Sequence, residues 1–151
     1  MTEPRYLNDI KGKFPGTEAV LPEKIKDGIP AFDCPPSLIL DIVKYLKAEG
    51  FNYLMNLCAT DYKDTFEVIY HLSALESKAK ITLKVKINRE KPELASITPL
   101  HPGANWQERE AFDLLGVVFT GHPNLTRILL SCDWEGYPLR KDYSRKPDQY
   151  D

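Results

Sequence analysis

The sequence predicts an α+β fold, a two-layer domain with a mainly antiparallel sheet, covering helices and a long irregular C-terminal arm. Three observations carry this expectation. Residues from Ser37 to Glu49 place apolar side chains at helical spacing, three successive segments between Phe51 and Asn88 alternate with a period of two, and prolines and glycines interrupt everything after Val117. On this reading residues 1–28 are an irregular lead-in, 29–116 the α+β core and 117–151 an extended docking arm, all within a single domain.

The first thirty residues carry Pro4, Pro15, Pro22 and Pro30 with three glycines. They leave room for a short strand around Thr17 to Leu21 and a second extended piece from Ile29 to Phe32. Cys34-Pro35-Pro36-Ser37 stops the chain sharply and opens a helix, because proline fits the first helical turn, where N–H groups lack partners anyway. Leu38, Ile42, Tyr45 and Leu46 then share one helix face while Asp41, Lys44 and Lys47 take the other, and Gly50 ends it. In the strand from Phe51 to Thr60, Phe51, Tyr53, Met55 and Leu57 alternate against Asn52, Leu54, Asn56 and Cys58. A turn at Asp61 to Asp64 leads into Thr65 to Leu75, where Phe66, Val68, Tyr70 and Leu72 alternate against Glu67, Ile69, His71 and Ser73. The two form an antiparallel hairpin. The third strand sets Ile81, Leu83, Val85 and Ile87 against Thr82, Lys84, Lys86 and Asn88, one face for the core and one for water or a partner. Glu93 to Ile97 reads as one helical turn and Thr98 to Gly103 as a rigid loop. A helix follows from Trp106 to Leu115, capped by Asn105, with acidic residues in its first turn and Gly116 at its end.

Composition excludes several function classes. A chain of 151 residues buries about 68–70% of its unfolded surface and needs neither disulfides nor a metal for its core. With 20 Lys+Arg against 22 Asp+Glu the net charge is −2, so the basic footprint of a nucleic-acid binder is absent. Cys34, Cys58 and Cys132 form no CxxC pair, which disfavours a zinc ribbon, a thioredoxin-like site or a cluster held by this chain alone, and fits a reducing cytoplasm. The charged N-terminal residues do not read as a secretory signal. The longest apolar runs, such as Leu38-Ile39-Leu40 and Ile128-Leu129-Leu130, are far too short to span a membrane. The glycines at 103, 116, 121 and 136 form no phosphate-binding loop.

The densest polar cluster is Glu108, Arg109, Glu110 and Asp113, with His122 beyond. On a helix Arg109 and Asp113 are four apart and expected to pair, with Trp106, Glu110 and Asp113 along one side. A small metal-dependent hydrolase using Glu108, Glu110, Asp113 and His122 is the alternative from another class, disfavoured because no second histidine lies at ligand spacing. His71 sits mid-strand. His101 and His122 each precede a proline, which reads as hydrogen-bonded turns. A Cys58–His71 dyad lacks a third group to orient the histidine. The arm mixes aromatic residues, arginines and rigid prolines, the composition of a protein–protein hot spot. It either wraps its own domain or docks on a partner, and both can hold together.

Asn105-Trp106-Gln107-Glu108-Arg109-Glu110, Phe112-Asp113-Leu114-Leu115-Gly116, Gly121-His122-Pro123, Arg127-Ile128-Leu129, Trp134-Glu135-Gly136 and Pro138-Leu139-Arg140-Lys141-Asp142-Tyr143 resemble, in this order, the respiratory complex I 30 kDa subunit family, in bacteria the C subunit of NADH-quinone oxidoreductase. Thr126 departs from it, since the family usually has a basic residue there. The resemblance implies a non-catalytic scaffold in the hydrophilic arm of a proton-translocating NADH-quinone oxidoreductase, peripheral on the cytoplasmic face of a bacterial membrane. It implies a hydrogenase-like large subunit (D type) and iron–sulfur subunits (B and I type) as partners, no nucleic acid, and membrane contact only through the complex. NADH, FMN, iron–sulfur clusters and quinone would all be bound by those partners. Within the motif, Trp106, Glu108, Arg109, Glu110, Asp113, Gly116, His122, Pro123, Arg127, Trp134, Glu135, Gly136, Pro138, Leu139, Arg140, Lys141, Asp142 and Tyr143 are implied to be structural and interface residues, with Arg140 serving assembly more than folding. The equivalent subunit of a membrane-bound hydrogenase or of a ferredoxin- or coenzyme F420-linked complex is the alternative, because nothing in the chain touches the electron donor.

Overall fold

In the computed structural model, residues 4–144 are described. The chain opens with helix α1 (Arg5–Lys13), followed by the short strands β1 (Glu18–Ala19) and β2 (Ala31–Asp33). A 3₁₀ turn over Pro36–Leu38 feeds helix α2 (Ile39–Ala48). Three long strands come next, β3 (Tyr53–Asp61), β4 (Thr65–Ala74) and β5 (Ala79–Asn88). Strand β6 (Glu93–Ala95), helix α3 (Ala104–Leu115) and strand β7 (Val118–Thr120) complete the regular structure. The main sheet has the order β1-β2-β5-β4-β3, with β2 parallel to β5 and the other pairs antiparallel, so the α+β, mainly antiparallel expectation holds.

Period-two alternation explains the layering. Phe66, Val68, Tyr70 and Leu72 of β4 and Ile81, Leu83 and Val85 of β5 are all fully buried on one sheet face. Ile39, Ile42, Val43 and Leu46 of α2, spaced by three and four, are equally buried in the same core cluster. Burying a large aliphatic or aromatic side chain contributes roughly 1.5–3 kcal/mol, so these two stripes fix which face of α2 and of the sheet turns inward.

Four expectations need correction. The lead-in contains a helix: Leu7 and Ile10 are buried, Tyr6 meets Phe51 edge-on at 4.9 Å, and the Tyr45 hydroxyl donates to Asp9 at 2.7 Å. With only two buried apolar residues amid charges, α1 depends on tertiary contact more than on its own pattern. In β3 the register shifts between Leu54 and Asn56. That bulge turns both Tyr53 and Met55 outward and Leu54 toward the core, which simple alternation cannot foresee. Glu93–Ala95 is a strand, since β7 pairs with it in parallel, Leu94 opposite Phe119, both buried; its partner lies across α3 and leaves no local signal. Helix α3 starts at Ala104, after Gly103 and without a side-chain cap, so Asn105 lies inside the helix and the first turn has no acid.

Helix α3 packs against β3, the outer strand, where Leu57, Cys58 and Ala59 meet Gln107, Glu110, Ala111 and Leu114 around a small cavity. A helix along the outer strand restricts pairing with another chain. It also sets the sequence motif beside the arm that follows β7.

Candidate interaction site

The C-terminal half of α3 holds the arm by its backbone. Asp113 is fully buried. One of its oxygens accepts from Arg127 Nη1 at 2.8 Å, and the other accepts the N–H groups of Ile128, Leu129 and Leu130 at 3.1, 2.7 and 2.9 Å. Burial raises the carboxyl's pKa, yet the guanidinium and the three N–H donors outweigh it and hold the group below the usual carboxylate range. Arg127 also donates to the Asp113 carbonyl at 2.7 Å and the Gly136 carbonyl at 2.8 Å, and lies over the Tyr137 ring. The expected Arg109–Asp113 pair does not form. Arg109 instead donates to the Thr126 carbonyl and hydroxyl and to the Arg127 carbonyl, at 3.1, 3.2 and 3.0 Å, with its guanidinium over Trp106. Thr126, the departure from the family pattern, thus acts as an acceptor for Arg109.

A second brace sits where α3 ends. Gly116 has φ +79, and a Cβ there would stand 2.5 Å from Arg140 Nη2 and 2.8 Å from the Tyr137 ring. Arg140 donates to the Leu115 carbonyl at 2.7 Å and lies between the Phe66 and Tyr137 rings. Arg140 therefore braces its own domain.

A third brace centres on Asp61, which the sequence pattern marks only as a turn residue. It accepts from Lys141 N–H at 2.8 Å and Lys63 N–H at 2.7 Å, and pairs closely with Arg89, which in turn reaches Asp142 at 3.0 Å. Burial opposes ionisation, but Arg89 and the two N–H donors prevail and lower the pKa to about 2. Asp61 is chemically invisible in sequence because Arg89 and Lys141 come from distant elements.

Glu108 is fully buried, accepting from the Ser96 hydroxyl at 2.6 Å and the Ile97 N–H at 2.8 Å. His122 lies 3.9 Å away. Its Nδ1 accepts from Asn124 N–H at 3.0 Å, so Nε2 carries the proton and donates to the Asn105 carbonyl at 3.2 Å. Of the residues of the hydrolase reading, Glu110 is exposed and both Asp113 oxygens are occupied, and among the described residues no three His, Cys, Asp or Glu lie together as metal ligands. Cys58 and His71 do lie on paired strands, where His71 Nδ1 meets Thr82 Oγ1 at 3.1 Å.

Several large apolar side chains remain outward. Trp106, Leu129 and Leu139 are 62%, 63% and 59% exposed, and Trp134 is 39% exposed. Pro123, Glu135, Gly136 and Lys141 are exposed, while Pro138 and Tyr143 are half-buried, Tyr143 donating its N–H to the Arg140 carbonyl. The arm thus directs most of its polar contacts inward and leaves several large side chains in solvent.

The chain matches the family described as respiratory-chain NADH dehydrogenase, 30 Kd subunit, over residues 32–149. The C subunit of NADH-quinone oxidoreductase from Roseiflexus sp. (strain RS-1) is 48% identical over 113 residues, covering 71% of this chain and 65% of that protein, just under two thirds of its length. The C subunit from Moorella thermoacetica is 42% identical over 143 residues, 91% of this chain and 93% of that protein. The C/D subunit of NADH-quinone oxidoreductase from Photorhabdus laumondii is 36% identical, the match covering 96% of this chain and 26% of the longer protein. Among solved structures, the trypsin-resistant fragment of Nqo5 superposes with a TM-score of 0.71 at 29% identity, over 80% of this chain and 97% of the fragment. A chain of the membrane-bound sulfane sulfur reductase, an archaeal respiratory membrane complex, gives a TM-score of 0.77 at 25% identity, over 91% and 83%.

Proposed function

The chain belongs to the 30 kDa subunit family of the respiratory-chain NADH dehydrogenase, and from that premise we propose that it is a connecting subunit of a proton-translocating NADH-quinone oxidoreductase, without an active site of its own. It holds a hydrogenase-like D-type subunit and iron–sulfur subunits of B and I type in register on the cytoplasmic face of a bacterial membrane. NADH, FMN, iron–sulfur clusters and quinone are bound by those partners, and the membrane is reached only through the complex. The observation that carries this reading is the arm, braced inward through Asp113, Arg140 and Asp61 while Trp106, Leu129, Trp134 and Leu139 stay outside. Aromatic and aliphatic anchors on a rigid support are what a stable interface uses. A D-type neighbour is supported by the Photorhabdus relative, whose name joins C and D in one protein. Membrane contact through partners is consistent with the absence, among the described residues, of any helix long and apolar enough to cross a bilayer.

The test is co-purification with the D-type subunit after Leu129→Asp and Leu139→Asp, singly and together. Each hot-spot loss of about 2 kcal/mol weakens binding roughly thirtyfold. Capture is expected to fall while the unfolding free energy of the free chain, from urea titration, stays within about 0.5 kcal/mol of wild type. Undiminished capture by the double variant overturns the surface assignment. The likeness to the sulfane sulfur reductase chain, part of another respiratory membrane complex, supports a second reading, in which the same subunit serves a related membrane-bound complex such as a membrane-bound hydrogenase or a ferredoxin- or F420-linked one. Recovery of flavin- and NADH-binding subunits with the tagged chain separates the two.

A further inference from the structure

Glu108 has a chemistry that a purely structural role leaves unexplained. A carboxylate removed wholly from water needs several donors or a cation, as Asp113 has. Glu108 has two neutral donors, Ser96 Oγ–H and Ile97 N–H, and no lysine or arginine within ion-pairing distance among the described residues. Its nearest titratable neighbour is His122, from the loop after β7, whose side chain is also fully buried. Both ring nitrogens are already engaged, Nδ1 by the Asn124 N–H and Nε2 with the Asn105 carbonyl. From β4, Tyr70 faces the site with a buried hydroxyl that has no hydrogen-bond partner. On α3 itself, Arg109 turns to Thr126 and Glu110 to solvent, so neither compensates the charge.

The hydroxyls beside Glu108 allow both protonation states without moving a heavy atom. Ser96 Oγ lies 2.6 Å from Glu108 Oε2 and 2.8 Å from Thr98 Oγ1. When Glu108 is ionised, Ser96 donates to it. When Glu108 is protonated, Oε2–H donates to Ser96, whose own hydrogen turns to Thr98, a half-buried residue at the end of the row. We propose that Glu108 is a buried proton-binding site, loaded and emptied through the Ser96–Thr98 hydroxyl pair, with the buried His122 ring as its neighbour. One proton moves between the carboxylate and solvent, and no other bond changes. The site joins α3, the residues after β6 and the loop that opens the arm, so its occupancy bears on how firmly the arm is rooted.

The test uses the full chain and follows the Glu108 side-chain carboxyl by carbon-13 NMR from pH 4 to pH 9, assigned by its loss in Glu108→Gln. The expected midpoint lies well above the ordinary glutamate value, in line with the burial that pushes this carboxyl up to about 7. Ser96→Ala removes a donor to the ionised form and is expected to raise the midpoint further. The His122 ring nitrogens are read in the same samples, so that uptake by the imidazole is told apart from uptake by the carboxyl. A midpoint between about 4 and 5, a Ser96→Ala midpoint that falls, or a His122 ring that takes up the proton in place of Glu108 overturns the proposal. Because the titration is read on the wild-type chain, a Glu108→Gln variant that fails to fold still leaves the proposal decidable, with assignment passing to the Ser96→Ala shift.

Discussion

Removing the Asp113 carboxylate is the most direct test of how the arm is held. Asp113→Ala takes away an Arg127 pair at 2.8 Å and the acceptor for three backbone N–H groups between 2.7 and 3.1 Å. Hydrogen bonds to charged groups are worth about 1.5–3 kcal/mol each, which for these four naively sums to roughly 6–12 kcal/mol. The sum overstates the cost, because Arg127 keeps the Asp113 and Gly136 carbonyls and Tyr137, and the freed N–H groups lie in a half-buried segment that water can reach. Breaking one side of a buried pair costs about 3–5 kcal/mol, and that is the expected loss. A domain of this size is stable by roughly 8–20 kcal/mol, so the variant remains folded at 25 °C and the loss is measurable by urea titration. Hydrogen exchange at Ile128, Leu129 and Leu130 locates it: these amides should lose protection more than the β4–β5 amides do, since the arm opens before the core. A loss under 1 kcal/mol together with unchanged exchange at the three amides would refute the reasoning.

Gly116→Ala is expected to cost roughly 2–4 kcal/mol, from the left-handed backbone and the approach to Arg140 and Tyr137. Gly121→Ala has a similar φ of +82 with nothing within 4 Å, so it should cost only about 1 kcal/mol, and equal values by urea titration would remove the packing argument. Asp61 has its folded pKa lowered to about 2, so its contribution is complete above the ordinary carboxyl pKa and is lost as pH falls toward 2. It amounts to about 2 kcal/mol, and Asp61→Asn should flatten the acid limb of a stability-versus-pH curve. Glu108 acts in the opposite sense: its raised value makes the native state hold a proton the unfolded chain releases, so stability falls as pH rises through about 7, and Glu108→Gln should remove that limb alone. A curve measured from pH 3 to pH 9 that keeps both limbs in both variants contradicts the two assignments.

The long strands and α2 were legible because their signal is local: buried side chains recur at two or at three and four positions, and nothing remote alters the period. The bulge at Leu54–Asn56 broke that logic in β3, since one inserted residue reverses every later side chain. Helix α1 and the β6–β7 pair were not legible, since each forms only against a surface made elsewhere in the chain. The same division runs through the site. The motif residues of α3 and the arm stand out in sequence, but their pairing does not. Arg109 and Asp113 have the spacing of a helical ion pair, yet each finds a stronger partner in the arm, where Asp113 gains an arginine and three N–H donors instead of one exposed guanidinium. Asp61 and Arg89 carried no motif, and only the fold brings them to Lys141 and Asp142.

These braces change what the proline-rich arm has to do on meeting a partner. A free segment of this length would lose roughly 1–2 kcal/mol of backbone entropy per residue on docking, more than a few apolar contacts return. An arm already fixed along α3 and the end of β3 has met that cost during folding. Leu129 and Leu139 can then act as anchors, although neither belongs to a regular element. The same economy means that folding and docking cannot be separated by cutting the arm or by removing Arg140, because the cut releases bonds to Leu115 and Asp61 inside the domain and the loss of Arg140 releases the one to Leu115. They separate only at side chains that contribute to the surface and not to the braces, and for that reason Leu129 and Leu139, exposed by 63% and 59%, are the positions at which the docking role stands or falls.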